Sequence, residues 1–334
     1  MRAAVLYEHG STDNLTYQAD YREPELAEGH VLLRVKASSL NYHDVFTCRG
    51  MPGIKVPLPI IPGLDVAGEI AEIGPGVEGW SVGDRVLVNP LHPERGLMGE
   101  MLDGGLAEYC LAAASQLIPI PDGVTFAEAA SLPVAYGTAH RMMITNGQIQ
   151  SGDKVLVLGA SGGVGTCCVP LAKMLGCEVV VAASSDDKLA RLKDLGADHG
   201  IDYTKAAFEK EIWQLYGKPF RRSYDGGVDV VCNFTGGETW VPSFKALKRG
   251  GKLLTCGATA GFDPKTDIRY IWTFELKVLG SNSWTREDLE TLMRYIREDK
   301  MKPVIDTVLP IEEAKVGVKL MEDREVFGKV VVTP

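Results

Sequence analysis

The sequence predicts an α/β protein of two domains, one mostly β and the other built on a doubly wound parallel sheet. Three observations carry this. Asp153 to Gly165 (DKVLVLGASGGVG) runs an apolar strand into a small-residue turn, and a helix-like segment follows from Val164 to Leu175. From Thr125 onward, strand-like and helix-like segments alternate, the signature of a parallel sheet covered on both faces. Before Thr125 the apolar stretches are short and separated by Gly and Pro, and 334 residues suit two cores better than one.

In the first part the expected strands are Val31 to Ala37, Asp65 to Ile73, Asp84 to Val88 and Leu106 to Leu111. Pro52, Pro57, Pro59 and Pro62 forbid a long helix between Arg49 and Gly63. Thr125-Phe126-Ala127-Glu128 is a capping-box pattern that opens a helix. The second part has expected strands at Lys154 to Leu158, Glu178 to Ala183, Val228 to Asn233, Gly251 to Cys256 and Leu276 to Gly280. Helices are expected at Asp186 to Leu195, Ala206 to Tyr216, Trp240 to Leu247 and Thr285 to Glu298. The last places Leu289, Leu292, Met293 and Ile296 on one face. The tail from Lys302, ending in Gly328-Lys329-Val330-Val331-Val332, reads as strand and is expected to return to the first domain. The expected domains are therefore 1–122 completed by 302–334, and 123–301.

The turn at Gly159–Gly165 allows close backbone approach, and the N–H groups opening the next helix favour an anionic pyrophosphate. With apolar strands on both sides, this is the pattern of a dinucleotide site, although Ala160 replaces the first glycine of G-x-G-x-x-G. The end of the second strand bears on which nicotinamide cofactor binds. An acidic residue there would accept from a ribose 2′-hydroxyl and repel a 2′-phosphate. Here Ala183 is followed by Ser184 and Ser185, with Lys188 nearby, which favours NADPH. Asp186 and Asp187 argue the other way, or simply stabilise the start of the next helix.

Composition excludes several classes. No apolar run reaches the roughly 18 residues of a membrane span. The N-terminal residues turn polar too soon for a signal peptide. A net charge of −9 gives no electrostatic reason to bind nucleic acid or an anionic membrane. Seven cysteines, odd in number and without C-x-x-C spacing, read as buried reduced thiols. A cytoplasmic location is expected.

Several stretches resemble the medium-chain dehydrogenase/reductase family, and more narrowly its quinone-oxidoreductase branch. They are Ser39–Asp44 (SLNYHD), Ile61–Gly68 (IPGLDVAG), Gly83–Val86 (GDRV), Asp103–Tyr109 (DGGLAEY), Gly159–Gly165 and Leu195–Asp198 (LGAD). The resemblance implies a GroES-like catalytic domain and a Rossmann cofactor domain. Pro170 departs from the branch's usual glutamine, and proline inside a helix suggests a kink.

Zinc-dependent relatives hold catalytic metal at positions that match Asn41, Leu64 and Val134 here. Leu and Val cannot ligate zinc, and a tetrahedral catalytic site needs three protein ligands. The four-cysteine lobe of a structural zinc has no counterpart between Asn89 and Gly105. No metal site is expected. Without a Lewis acid, simple alcohol oxidation lacks stabilisation for a developing alkoxide. Reduction of a C=C bond conjugated to a carbonyl needs only hydride and hydrogen-bond donors. The resemblance implies the same class of substrate: quinones, enals, enones or enoyl thioesters.

The resemblance places Asn41 near the nicotinamide ribose or substrate, and His43 where zinc relatives carry a proton-relay hydroxyl. Tyr42 is a second candidate donor, and Tyr136 a third; His43 bonded to Asp44 or a backbone carbonyl as packing support is the competing reading. On the cofactor side, Thr138 matches a position near the nicotinamide. Gly162, Gly163 and Val164 would meet the pyrophosphate, and Ser184 and Lys188 the 2′-phosphate. Tyr203 lies where relatives stack or bond near the adenosine. Thr235, Gly257 and Ala258 follow strand ends. Lys329 either reaches the cofactor from the returning tail or is an exposed strand lysine. Arg49, Arg269 and Arg286 are candidate contacts for an acidic substrate, or solvated charges, and Cys48 reads as incidental.

Two other functions stay open: a metal-free dehydrogenase acting on an activated alcohol or aldehyde, and an NADPH-binding structural protein with little turnover. The expected partners are a small-molecule substrate and a second copy of the chain. Relatives pair the last strand of the cofactor sheet, here Leu276 to Gly280, across a two-fold axis, implying a homodimer.

Overall fold

The computed structural model describes residues 1–334 as two compact units, one of residues 1–136 with 286–334 and one of residues 137–285. The first unit opens with β1 (Ala3–Leu6), β2 (Leu15–Gln18), β3 (His30–Ser39), helix α1 (Tyr42–Arg49), β4 (Asp65–Ile73) and β5 (Arg85–Val88). A short hairpin of β6 (Leu91–His92) and β7 (Gly96–Leu97) follows, then β8 (Tyr109–Ala113), β9 (Leu117–Pro119) and α2 (Phe126–Ala130).

The second unit contains α3 (Thr138–His140), β10 (Lys154–Val157), α4 (Gly163–Met174), β11 (Glu178–Ala183), α5 (Asp186–Asp194) and β12 (His199–Asp202). It continues through α6 (Phe208–Tyr216), β13 (Val228–Cys232), α7 (Trp240–Ala246), β14 (Leu247–Thr255), α8 (Ile268–Thr273) and β15 (Lys277–Gly280). The chain then returns to the first unit with α9 (Arg286–Arg297), β16 (Ile305–Pro310), α10 (Ala314–Asp323) and β17 (Lys329–Thr333).

The first unit holds a seven-stranded sheet in the order β16-β17-β3-β4-β5-β9, with β8 also on β3. The tail completes it: β17 pairs antiparallel with β3, Val331 opposite Ser39 and Val332 opposite Ser38. Val330 and Val332 alternate into a core with Leu6, Leu40, Val45, Ile60 and Leu106. A second core gathers Val31, Leu33, Val66, Ile70, Val86 and Val88. The second unit holds a six-stranded parallel sheet in the order β12-β11-β10-β13-β14-β15. This is the doubly wound order, which switches direction between β10 and β13.

Local chemistry accounts for most boundaries. Thr125 Oγ1 accepts from Glu128 N at 3.2 Å while Glu128 Oε2 accepts from Thr125 N at 2.8 Å, the expected capping box. In α9, Leu289, Leu292, Met293 and Ile296 are all buried, as their spacing requires. No helix is long and apolar enough to cross a membrane.

Three details differ from the sequence expectation. The strand expected at Leu106 to Leu111 lies at Tyr109–Ala113, because Leu106 and Ala107 instead bridge to β1. Helix α4 runs from Gly163 through Pro170 to Met174, one residue short of the expected end at Leu175. The units also divide after Tyr136 and before Arg286, not at 122 and 302. Helix α2 packs on β3 and β4, and Arg286 donates to Ser115 O at 3.2 Å and Leu117 O at 2.7 Å. Those contacts tie residues 123–136 and α9 to the first unit.

Candidate active site

In the first unit the polar centre is assembled where β3 ends, α1 begins, and β4 and β17 run alongside. Asn41 stands immediately before α1, and its N–H donates to Asp44 Oδ2 at 2.7 Å. Asp44 Oδ1 accepts from Gly63 N at 2.9 Å, so one carboxylate joins the helix start to the Pro62-Gly63 turn. Asp44 is fully buried, and burial pushes its carboxyl up to about 6 against the two backbone donors that favour ionisation.

Lys329 is buried as well, at 1% exposure. Its ammonium donates to Leu40 O at 2.8 Å, to Asn41 Oδ1 at 2.6 Å, and to Asp65 Oδ2 at 3.3 Å. Asn41 Nδ2 donates to Asp65 Oδ2 at 2.9 Å and to Ser39 O at 3.3 Å. Asp65 Oδ1 accepts from Val134 N at 3.0 Å. Burial raises the Asp65 carboxyl and lowers the Lys329 ammonium, each opposed by the other's charge. Lys329 is therefore not an exposed strand lysine: all its ammonium donors are engaged inside this unit. The Asn41 amide is likewise held by internal partners on both its oxygen and its nitrogen.

His43 and Tyr42, in the first turn of α1, remain partly exposed. His43 Nε2 lies 2.6 Å from Glu100 Oε2, so the partner of this nitrogen is neither Asp44 nor a backbone carbonyl. Tyr42 packs edge-on against Phe46 at 5.1 Å between ring centroids. Tyr136 is fully buried, and its hydroxyl accepts from Val304 N at 2.8 Å. That makes Tyr136 a core anchor rather than a free donor. Arg49 is held by Glu322, and Arg286 by Glu290 and two backbone carbonyls. Burial pushes the Cys48 thiol up to about 12, which removes it as a nucleophile.

In the second unit the candidate cofactor residues gather at the C-terminal ends of the parallel strands. Gly159 turns with φ +66°, and Gly162 N donates to Gly159 O at 3.1 Å. A Cβ on Gly165 would lie 2.5 Å from the Ala160 backbone, so only glycine lets α4 pack this close to the turn. A Cβ on Gly162 would meet a single atom, Gly159 O at 3.5 Å. The backbone N–H groups of Gly163, Val164 and Gly165 open the 12-residue α4 and have no intrahelical acceptor, an arrangement suited to phosphate.

Thr235 sits beside this turn: a Cβ on Gly159 would lie 3.2 Å from Thr235 Oγ1. The β13 and β14 end loops also join, with Ala260 N donating to Thr235 O and Gly237 N to Gly261 O, both at 2.8 Å. Thr235, Gly257 and Ala258 thus belong to one loop pair. Asn233, fully buried, organises it: its oxygen accepts from Thr235 N and Gly236 N, and its nitrogen donates to Thr239 and Ser243. At the β11 end, Ser185 Oγ accepts from Lys188 N at 3.3 Å. Tyr203 is half exposed, and its N–H donates to Ala183 O, which brings it beside Ser184. Asp186 is paired with Lys205, which also pairs with Asp202. Arg269 is held by Asp267. Thr138 is buried in α3, at the start of this unit.

Asp65, Glu100 and Asn233 were not singled out from sequence. For Asp65 the available signal is a lone charge in the apolar run Leu64-Asp65-Val66-Ala67. Charges placed so deep need partners. Among all residues, no group of three His, Cys, Asp or Glu is placed to hold a metal ion.

Comparison with known proteins agrees with this architecture. A family model described as alcohol dehydrogenase GroES-like domain matches residues 27–122, and one described as zinc-binding dehydrogenase matches residues 163–298. The 2-methylene-furan-3-one reductase of Solanum lycopersicum is 36% identical, covering 100% of this chain and 79% of that protein. The chloroplastic NADPH-dependent alkenal/one oxidoreductase of Arabidopsis thaliana is 33% identical, covering 100% and 80%. A solved structure described as an NAD-dependent alcohol dehydrogenase is similar at TM-score 0.91 and 36% identity, covering 100% of both chains. On two matched domain models and relatives above 30% identity over the whole of this chain, it belongs to the medium-chain dehydrogenase/reductase superfamily.

Proposed function

We propose that this protein is an NADPH-dependent oxidoreductase that reduces a C=C bond conjugated to a carbonyl, without catalytic zinc. The observation that carries this is the engagement of Asn41. At a position where zinc relatives place a ligand, its side chain is bonded to Lys329 and Asp65. The neighbouring Leu64 is apolar and buried. A donor set of this kind does not fit zinc, which needs three protein ligands. Activation of a carbonyl then falls to hydrogen-bond donors.

The relatives that act on alkenals, enones and furanones support the reaction class. When bound, NADPH supplies the hydride that adds to the β-carbon. The chain's own residues have three tasks. The N–H groups of Gly163 and Val164, with Gly162 clearing the approach, hold the pyrophosphate, and Thr235, Gly257 and Ala258 border it. Ser184 and Lys188 hold the 2′-phosphate beside Tyr203, while Lys205 neutralises Asp186. His43, with Tyr42 beside it, donates to the carbonyl oxygen as charge develops there and delivers the proton. Asn41 and Lys329 act from behind, keeping the start of α1 in place, and Thr138 lines the nicotinamide side. The small-molecule substrate is an enone, enal, quinone or enoyl thioester.

The similarity to a structure described as an NAD-dependent alcohol dehydrogenase favours a second reading, oxidation of an activated alcohol with NAD. One experiment separates the two: cofactor oxidation with a small enone, a quinone and an enoyl thioester, before and after dialysis against chelator. NADPH-driven reduction that survives chelation supports the proposal. Turnover that needs zinc, or appears only with alcohol plus NAD, overturns it.

We also propose that the protein forms a homodimer through β15. This strand pairs only with β14 at the sheet edge, and it carries the exposed Val278, while Ile268 and Trp272 are exposed on the preceding helix α8.

A further inference from the structure

We propose that Glu100 is a positioning residue that fixes the ring tautomer of His43, so that Nδ1 is the atom exchanging the proton with substrate. The proposal rests on the reading of His43 as proton donor. The His43 Nε2 to Glu100 Oε2 separation is 2.6 Å, and Glu100 is shielded, with 11% of its side chain exposed against 28% for His43. An ionised carboxylate only accepts hydrogen bonds, so the ring must carry hydrogen on Nε2. The neutral imidazole then presents Nδ1 as a lone pair, which takes up a proton and has none to give. The imidazolium presents Nδ1–H. Proton delivery to an enolate therefore starts from the imidazolium and ends at the neutral Nε2–H form, still bonded to Glu100, with the lost proton restored from water.

The surrounding backbone keeps the two side chains in register. Glu100 sits in the loop after β7, and that loop is bonded to the segment carrying Gly63. Ile61 N donates to Asp103 Oδ1 at 2.9 Å, Gly104 N to Ile61 O at 2.7 Å, and Gly105 N to Gly63 O at 2.8 Å. Gly99 has φ +73°, and a Cβ there would lie 3.0 Å from the Gly63 backbone. A Cβ on Gly104 would lie 2.2 Å from Gly63 O. The loop thus closes directly on Gly63, whose own N–H is held by Asp44, one residue after His43. Glu100 and His43 are clamped through the same turn, which is the requirement for an orienting carboxylate.

Two measurements test this. In ¹⁵N-histidine-labelled protein, a downfield Nε2–H proton of His43, assigned by its loss in His43→Gln, is expected in the wild type and should move upfield or vanish in Glu100→Gln. Its absence from the wild type, or its persistence unchanged in Glu100→Gln, overturns the proposal whatever the turnover. In enone reduction, Glu100→Gln should lower kcat about tenfold with KM unchanged, a modest part of what general acid catalysis supplies. Glu100→Asp should recover part of the loss. In the His43→Gln background, Glu100→Gln should cost nothing further. An equal loss in both backgrounds overturns the proposal while leaving His43 as donor. A His43→Gln enzyme with unchanged kcat instead overturns the donor reading, and the NMR result still decides the tautomer.

Discussion

Lys329 Nζ lies 3.3 Å from Asp65 Oδ2, with both side chains fully buried and 264 residues apart in the chain. A buried pair of this kind holds through its hydrogen bonds more than through net charge attraction, since desolvation offsets much of the Coulomb gain. Leu40 O and Asn41 Oδ1 complete the ammonium's shell, and Val134 N and Asn41 Nδ2 complete the carboxylate's. Removing one partner leaves the other charged in an apolar core. Lys329→Met is expected to lower unfolding free energy by about 3–5 kcal/mol in urea titration. A loss below about 1 kcal/mol would mean that the pair is less tightly enclosed than the geometry indicates.

Asp44 gives a pH dependence with a definite sign. Its carboxyl is raised to about 6 in the folded chain from an ordinary value of 3.8, with burial the largest cause. The folded state therefore binds this proton more tightly than the unfolded state. The stability associated with it is present at low pH and lost as pH rises from about 4 through 6, for a total near 3 kcal/mol. Asp44→Asn lacks this titration. The wild-type unfolding free energy should fall relative to the variant across that window and run parallel above it. A difference that stays flat from pH 4 to 7 would contradict the assignment.

Cofactor preference should depend on Lys188. If it pairs with a 2′-phosphate, Lys188→Ala raises KM for NADPH about tenfold, one charge-assisted contact, and leaves KM for NADH unchanged. Equal effects on both cofactors would remove the 2′-phosphate from the explanation.

The edge strand β15 makes a prediction about assembly. Light scattering should give twice the chain mass of 36.2 kDa. Leu279→Asp should halve it, because a charge on the edge blocks strand pairing. A wild-type protein that runs as a single chain at micromolar concentration would remove β15 as an interface.

Much of the fold could be read directly from residue order. The strands Asp65–Ile73 and Glu178–Ala183 begin and end where their apolar patterns do. The α9 stripe of Leu289, Leu292, Met293 and Ile296 is likewise a matter of period alone. These features depend on neighbours within a few positions, where backbone sterics and side-chain alternation act. The glycine turn at Gly159–Gly165 belongs with them, since its shape follows from the residues that compose it.

The first unit was harder to read because its polar bonds cross long stretches of chain. Asn41 reads from sequence as a candidate site residue, yet nothing in its neighbourhood shows that its amide faces Lys329 and Asp65. His43 was legible as a candidate proton donor, while its partner Glu100 lies 57 residues away in an irregular loop. Tyr136 reads from sequence as an available donor, whereas its hydroxyl accepts from Val304 N.

Periodicity and turn chemistry were enough to establish two domains, a parallel dinucleotide-type sheet and a tail that rejoins the first domain. Which charges are buried together, which carboxylate faces His43, and where the two units divide depended on folding in three dimensions. The reason is physical: hydrogen bonds and ion pairs act over a few ångströms of space. The distance along the chain between their partners is set by strand pairing such as β17 on β3, which local sequence does not encode.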